Sequence, residues 1–116
     1  MTVNDEILGI LISLMQEDSE VFVPTRLAIL VYLYFSRKIR FTALQRFLNL
    51  TSGNLSSHIK KLQALDLVRV NKAFVDLKPT TIVEITQKGV ERVRKYLLRM
   101  RDLITQTLDS RKIVIE

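Results

Sequence analysis

The chain has 116 residues, 47% of them hydrophobic, with three glycines, two prolines and no cysteine. Such a composition describes one compact, helix-rich domain and excludes a disordered chain, a disulfide framework, thiolate chemistry and Cys-based metal sites. The net charge of +6 is unevenly spread: residues 1–20 carry five acids and no base, −5, and the other 96 carry all 18 Lys and Arg against seven acids, +11.

A basic body behind an acidic N-terminal segment points to a polyanionic partner held away from the first helix. That helix is expected over 4–17. Asn4 is placed to cap it, and Asp5 and Glu6 suit its positive end. Ile7, Leu8, Ile10, Leu11, Ile12, Leu14 and Met15 cover more than one of its faces. A surface helix normally shows a single apolar stripe, so this one is expected to pack between its own core and another subunit. The acidic start lacks the basic n-region of a signal peptide. The longest apolar run, Leu27 to Phe35, falls far short of the ~20 residues of a membrane span. The expectation is therefore a cytoplasmic protein with no membrane partner.

Gln16 to Glu20 is an acidic connection, and Pro24 suits the first turn of the next helix. Leu27 to Phe35 is apolar nearly all round. A buried strand is the alternative, but length, the Pro start and the Leu and Ala content favour a central, buried helix. A very short strand is expected at Ile39 to Phe41. Thr42 and Gln45 then form a capping-box pattern that opens a short helix with Leu44, Phe47 and Leu48 inward. Asn49-Leu50-Thr51 is a tight turn, with Asn tolerant of a left-handed conformation. Thr51 caps the following helix, in which Leu55, Ile59, Leu62 and Leu65 share one side. Gly53, Ser57, Lys60 and Ala64 point the other way, flanked by Ser56 and Lys61, with Asn54 nearer the apolar edge. The outer face has no acid. The pair of helices is a helix-turn-helix.

Leu67 to Phe74 alternates as a half-buried strand, Val68 and Val70 against Arg69 and Asn71. Thr80 to Ile85 is rich in β-branched residues, and Asp76-Leu77-Lys78-Pro79 reads as the turn between them. Thr86 caps a last helix over 87–110. Its apolar residues Val90, Val93, Leu97, Met100, Ile104 and Leu108 recur at spacings of three and four. Arg111 to Glu116 reads as a frayed or weakly strand-like tail.

From Arg26 to about Val90 the chain resembles the MarR-like group (multiple-antibiotic-resistance regulators), especially its short archaeal and bacterial one-domain members. LTSGNLSSHIKKLQALDLV, residues 50–68, is the most specific part. The resemblance implies a winged helix-turn-helix: mainly α with a small β-hairpin wing, a winged core over 24–86, and N- and C-terminal dimerisation helices. It also implies a transcriptional regulator. The group usually has Gly before the Leu-Val that follows the recognition helix. Asp66 stands there here, so a different closure of that helix is expected. In that group the wing tip often offers an Arg to the minor groove; this wing offers only Lys78, beside Asp76.

Catalysis finds little support. His58 is the single histidine, which excludes His clusters, and it falls within the apolar side of its helix. A half-buried histidine bonded to a neighbouring carbonyl is the plain reading, and a phosphate contact is the other. The acids form no general acid/base couple, no Gly-rich phosphate loop exists, and Ser52, Ser56 and Ser57 have no activating base. No metal or cofactor is expected, and the chain is read as a non-enzyme. Nothing in it identifies a small-molecule effector.

Binding of double-stranded DNA is the favoured reading. Ser52, Gly53, Asn54, Ser56 and Ser57 form a small, polar helix face at which Asn54 and Ser57 could read base edges. Lys60 and Lys61 suit phosphates, with plain solvation as the alternative. Arg46, Lys72 and Lys78 are further candidates. Arg92, Arg94, Lys95, Arg99 and Arg101 read as a solvated helix face. Ile7, Leu11 and Leu14 of the first helix and Val93, Leu97, Met100, Ile104 and Leu108 of the last are the candidate homodimer contacts. A winged-helix protein–protein interaction module is the alternative of a different class. RNA binding lacks the usual exposed stacking residues.

Overall fold

The computed structural model describes residues 5–113, with side chains to residue 109. The elements run α1 (Asp5–Gln16), α2 (Pro24–Ser36), β1 (Lys38–Arg40), α3 (Phe41–Phe47), α4 (Ser52–Ala64), β2 (Val68–Val75), β3 (Lys78–Ile85) and α5 (Gln87–Ile113). This is the expected mainly α arrangement with a β-hairpin. Asn4, the anticipated first cap, lies outside the described residues. The chain spans 65 × 23 × 22 Å. Among the described residues no helix is long and apolar enough to cross a membrane.

The core forms around α2. Ile29, Leu30 and Leu33 are fully buried, one helical turn of a single face. They meet Leu44 of α3, Leu55, Ile59 and Leu62 of α4, Val83 of β3 and Val93 of α5. Burying each such side chain contributes roughly 1.5–3 kcal/mol. The apolar run at its end does not follow this pattern: Phe35, in the last turn of α2, is exposed. Phe47 is exposed too, so the inward side of α3 is formed by Leu44 with the half-buried Phe41 and Leu48.

The sheet is antiparallel in the order β1-β3-β2. β1 pairs Lys38 with Glu84 and Arg40 with Ile82. It ends one residue earlier than expected and runs straight into α3, whose first residue is Phe41. Thr42 therefore lies inside the helix, where it cannot cap, and the position before the helix is Arg40, which forms no side-chain cap. β2 and β3 pair from Val68↔Ile85 to Val75↔Lys78. The hairpin loop is thus Asp76-Leu77 alone, both at positive φ, 52° and 65°, the backbone of a tight two-residue turn. Lys78 and Pro79 belong to β3 rather than to the turn. Proline is tolerated there because β1 reaches only Ile82, leaving β3 an open edge at Pro79.

Both helices of the central pair close in the same way. After α3, Asn49 sits at φ 55°, its N–H bonding to Arg46 O and that of Leu50 to Gln45 O. After α4, Asp66 sits at φ 61°, its N–H bonding to Gln63 O and that of Leu67 to Leu62 O. Each is a Schellman closure. Asp66 takes the left-handed conformation that Gly usually supplies, so the expected difference in closure is not seen. Asx residues adopt this region at modest cost.

Thr86 caps α5: its hydroxyl accepts from Gly89 N–H at 2.9 Å and donates to Asp66 O at 2.7 Å. The helix continues to Ile113, past the expected stop near 110. At 1.5 Å per residue its 27 residues span about 40 Å.

Candidate nucleic-acid interface

The Thr51 hydroxyl accepts from Asn54 N–H at 3.1 Å, the expected N-cap of α4. The cap fixes the start of the helix, and Leu55, Ile59 and Leu62 seat its inner face in the core. That pose leaves Ser52, Gly53, Asn54, Ser57 and Lys60 exposed and Ser56 half-buried. No acid lies on the helix. Ser56 and Lys60 also border an open groove completed by Gln63, Ile59, Phe41 and the sheet residues Val70 and Thr81. Sequence reasoning did not single out Gln63 or Thr81. The spacing of Gln63 from Ser56 and Lys60 on the helix could have found the first. Thr81 required the pairing register of the hairpin.

Lys61 has a partner the helix alone did not disclose. Its Nζ lies 3.7 Å from Glu20 Oε2, in the loop between α1 and α2. Glu20's carbonyl accepts from Arg26, whose Nε also donates to His58 Nδ1 at 3.2 Å. His58 is half-buried as expected, but its partner is the Arg26 guanidinium and not a carbonyl. An Nδ1 that accepts a hydrogen bond places the neutral ring's proton on Nε2. The α1–α2 loop is thereby tied to α4.

The remaining candidates lie on α3, β2 and β3. Arg46 is exposed, its guanidinium 5.8 Å from the Phe47 ring centre. Lys72 on β2 and Lys78 on β3 are exposed along the hairpin. Arg69 is taken up by Glu84 across the hairpin at 3.7 Å.

The acidic segment is put to a specific use. Asp18 is 3% exposed. Its Oδ1 accepts from Arg92 at 3.3 Å, and its Oδ2 lies 3.5 Å from Arg99 Nη1 without hydrogen-bond geometry. Arg92 also donates to Glu17 O at 2.6 Å, and Arg99 pairs with the Glu17 carboxylate at 3.2 Å. A hydrogen bond and charge attraction from Arg99 hold the Glu17 carboxyl below its ordinary range. Phe22 stacks on Tyr96 at 3.9 Å between centroids. Burial, then the nearby Asp18 charge, raise the Tyr96 phenol. Arg92 and Arg99 are thus anchors, not the solvated face expected of them. Arg94 and Lys95 are exposed, and Arg101 pairs with its neighbour Asp102.

Of the residues expected at a subunit contact, Val93 is fully buried in its own chain and Ile7 nearly so. Val93 belongs to the core cluster around α2, and Ile7 is buried outside that cluster. Leu14 and Met100 are half-buried, while Leu11, Leu97, Ile104 and Leu108 are exposed, together with Leu8, Ile12 and Met15 of α1. Among the described residues no group of three or more His, Cys, Asp or Glu could hold a metal ion.

Residues 25–104 match the family of winged helix DNA-binding domains. Over 78 residues the chain is 36% identical to an uncharacterised protein of Methanocaldococcus jannaschii, a stretch that covers 67% of this chain and 85% of that one. Its fold is similar to that of a transcriptional regulator homologue of Pyrococcus horikoshii, with TM-score 0.78 and 35% identity over 90% of this chain and 98% of that one. A MepR variant from a multidrug-resistant S. aureus clinical isolate superposes with TM-score 0.64 over 96% of this chain and 85% of that one. At 20% identity that likeness is one of fold alone.

Proposed function

Because the chain belongs to the winged helix DNA-binding family and has the fold of the MarR-like transcriptional regulators, we propose that it regulates transcription by binding a specific double-stranded DNA site as a homodimer. The observation that carries this reading is the outer face of α4. It is capped, exposed, free of acids and flanked by a hairpin wing. Asn54 and Ser57 are the proposed base readers near the start of the helix, where such residues usually sit. Gly53 admits the duplex closely, and Ser52 and Ser56 add hydrogen bonds. Lys60 is the principal phosphate contact, with Arg46, Lys72 and Lys78 widening the positive field. Lys61 reaches a phosphate only by giving up Glu20, so its share is smaller.

The dimer is supported by exposed apolar residues on both terminal helices. Met15 of α1 is 75% exposed, and Leu97, Ile104 and Leu108 continue the seam of α5. Such side chains left in water would be an aggregation liability. Two α4 helices related by a dimer axis would meet major grooves about one turn, ~34 Å, apart.

Selection of bound duplexes from a random pool, followed by salt titration, tests the proposal. An enriched palindromic site is expected. Lys60→Ala should lower the log–log salt slope by ~0.9, and Lys61→Ala by less. Binding that neither enriches a sequence nor depends on salt would overturn the reading in favour of a protein–protein module.

A further inference from the structure

The outer half of the wing carries apolar side chains where a phosphate-binding arm would carry cations. Leu77, at the tip, is 95% exposed, and Phe74 is 77% exposed. Successive residues of a strand face opposite sides, so Val70, Lys72 and Phe74 share one side of the hairpin, with Thr81 and Pro79 opposite Lys72 and Phe74. Val70 and Thr81 of this set border the groove beside Ser56 and Lys60. Phe74 and Pro79 therefore lie farther out on the side of the sheet that faces α4.

The reach of the hairpin fits a duplex. From the pair Val70↔Val83, seated on the body, to Val75↔Lys78 at the turn is five residues, about 16 Å at ~3.3 Å each. In B-form DNA, half of a ~34 Å turn, roughly 17 Å, separates the major groove from the neighbouring minor groove. With α4 in the one, a hairpin of that length is long enough for its tip to reach the other. Lys72 and Lys78 flank the apolar residues, against the single acid Asp76, which suits a surface lined by phosphates. Two side chains on a hairpin tip are too small a surface for a stable protein partner, which needs on the order of 1,000 Å².

We propose that Leu77 is a wedge: it enters the minor groove beside the site read by α4 and opens a base step, with Phe74 and Pro79 against the sugar edge, so that binding kinks the duplex. Apolar side chains inserted in this way unstack a step and bend DNA toward the major groove. Pyrimidine–purine steps, the easiest to unstack, are the preferred target. The proposal rests on the DNA-binding reading above and adds to it a bend and a preference at a step that α4 does not touch.

The test uses the full chain and a duplex from the random-pool selection, or a random-sequence duplex where none is enriched, carrying fluorescent dyes at its two ends. Energy transfer reports the end-to-end distance. The wild type should shorten that distance. Leu77→Asn places a residue better suited to positive φ there, so the hairpin should fold and melt at or above the wild-type temperature. It should bind within roughly tenfold of the wild type, ~1.4 kcal/mol, yet leave the duplex straight. Phe74→Ala should reduce the bend in part. A wild type that binds without bending, or a Leu77→Asn variant that bends equally, overturns the wedge alone. Should no duplex bind at low salt, the DNA-binding reading fails and the wedge with it. Loss of self-association in Leu77→Asn with duplex bending unchanged would make the tip a protein contact instead.

Discussion

Gly89→Ala offers a sharp test of how the wing, α4 and α5 are joined. Gly89 is the third residue of α5, where Ala alone would favour the helix by ~1 kcal/mol. A Cβ there would stand 2.2 Å from Leu67 O and 2.7 Å from Ile85 Cγ1. The Leu67 carbonyl has little room to yield. It accepts from Thr86 N–H at 3.0 Å, and the Leu67 N–H closes α4 onto Leu62 O, also at 3.0 Å. Overpacking of this kind usually costs about 1–3 kcal/mol, and a contact this short against held backbone belongs at the upper end. Set against the gain in helix propensity, a net loss of about 2 kcal/mol is expected. At ~4 °C per kcal/mol for a chain of this size, the melting temperature should fall by roughly 8 °C. Thermal unfolding followed by far-ultraviolet circular dichroism would measure it. Protein concentration must be fixed, because self-association stabilises by mass action. Gly9→Ala is the control: its Cβ meets nothing within 4 Å, so it should stabilise by ~0.5–1 kcal/mol. A Gly89→Ala protein that melts at or above the wild type would refute the reasoning.

Gly53→Ala likewise meets nothing within 4 Å, so the variant should fold at least as stably yet bind duplex DNA more weakly; equal affinity by fluorescence anisotropy would count against close approach at that point. Leu97→Glu with Ile104→Glu should sediment as a monomer with sharply reduced affinity for the selected duplex, and a variant that still dimerises would defeat the proposed seam. Because Arg99 depresses the Glu17 carboxyl, the pair contributes stability that is present above the unfolded value near ~4.3 and is lost as pH falls through the lower folded value. Arg99→Gln should return the Glu17 titration, followed by NMR, to the ordinary range, and an unmoved midpoint would exclude the pairing.

The helices, the helix-turn-helix and the hairpin were legible because their signals are local. Thr51 and Thr86 stand one residue before their helices, and the apolar residues of α4 recur at 3.6. Errors came where tertiary packing decides. Thr42 and Gln45 have the spacing of a capping box, but β1 feeds directly into Phe41 and moves the helix start. Phe35 and Phe47 look like core residues by type, and neither faces the core. The partners of Lys61 and His58 come from a loop and a helix start more than 30 residues away, which no window of sequence shows. Arg92 and Arg99 fall seven apart on one helix face, which reads equally as solvated charge or as a clamp. Only the buried Asp18 between them distinguishes the two.

That clamp bears on how recognition and assembly are connected. α5 leaves the winged body at the Thr86 cap, which is itself bonded to Asp66 at the end of α4. Over its first half it is held by Val93 in the core, by the Phe22–Tyr96 stack and by Arg92 and Arg99 on Asp18 and Glu17. Beyond Arg99 it presents Ile104 and Leu108 to solvent. The direction in which the far half projects is therefore set by contacts made within the DNA-binding body and the α1–α2 loop. The same loop supplies Glu20 to Lys61 and to Arg26, and Arg26 in turn holds His58 on α4. In the proposed dimer, a shift of this loop would alter the angle of α5, and hence the spacing of the two α4 helices, and would also release Lys61 on α4, the helix proposed to face DNA. The two effects have one structural origin, the seven-residue connection 17–23, pinned at Glu17, Asp18 and Glu20.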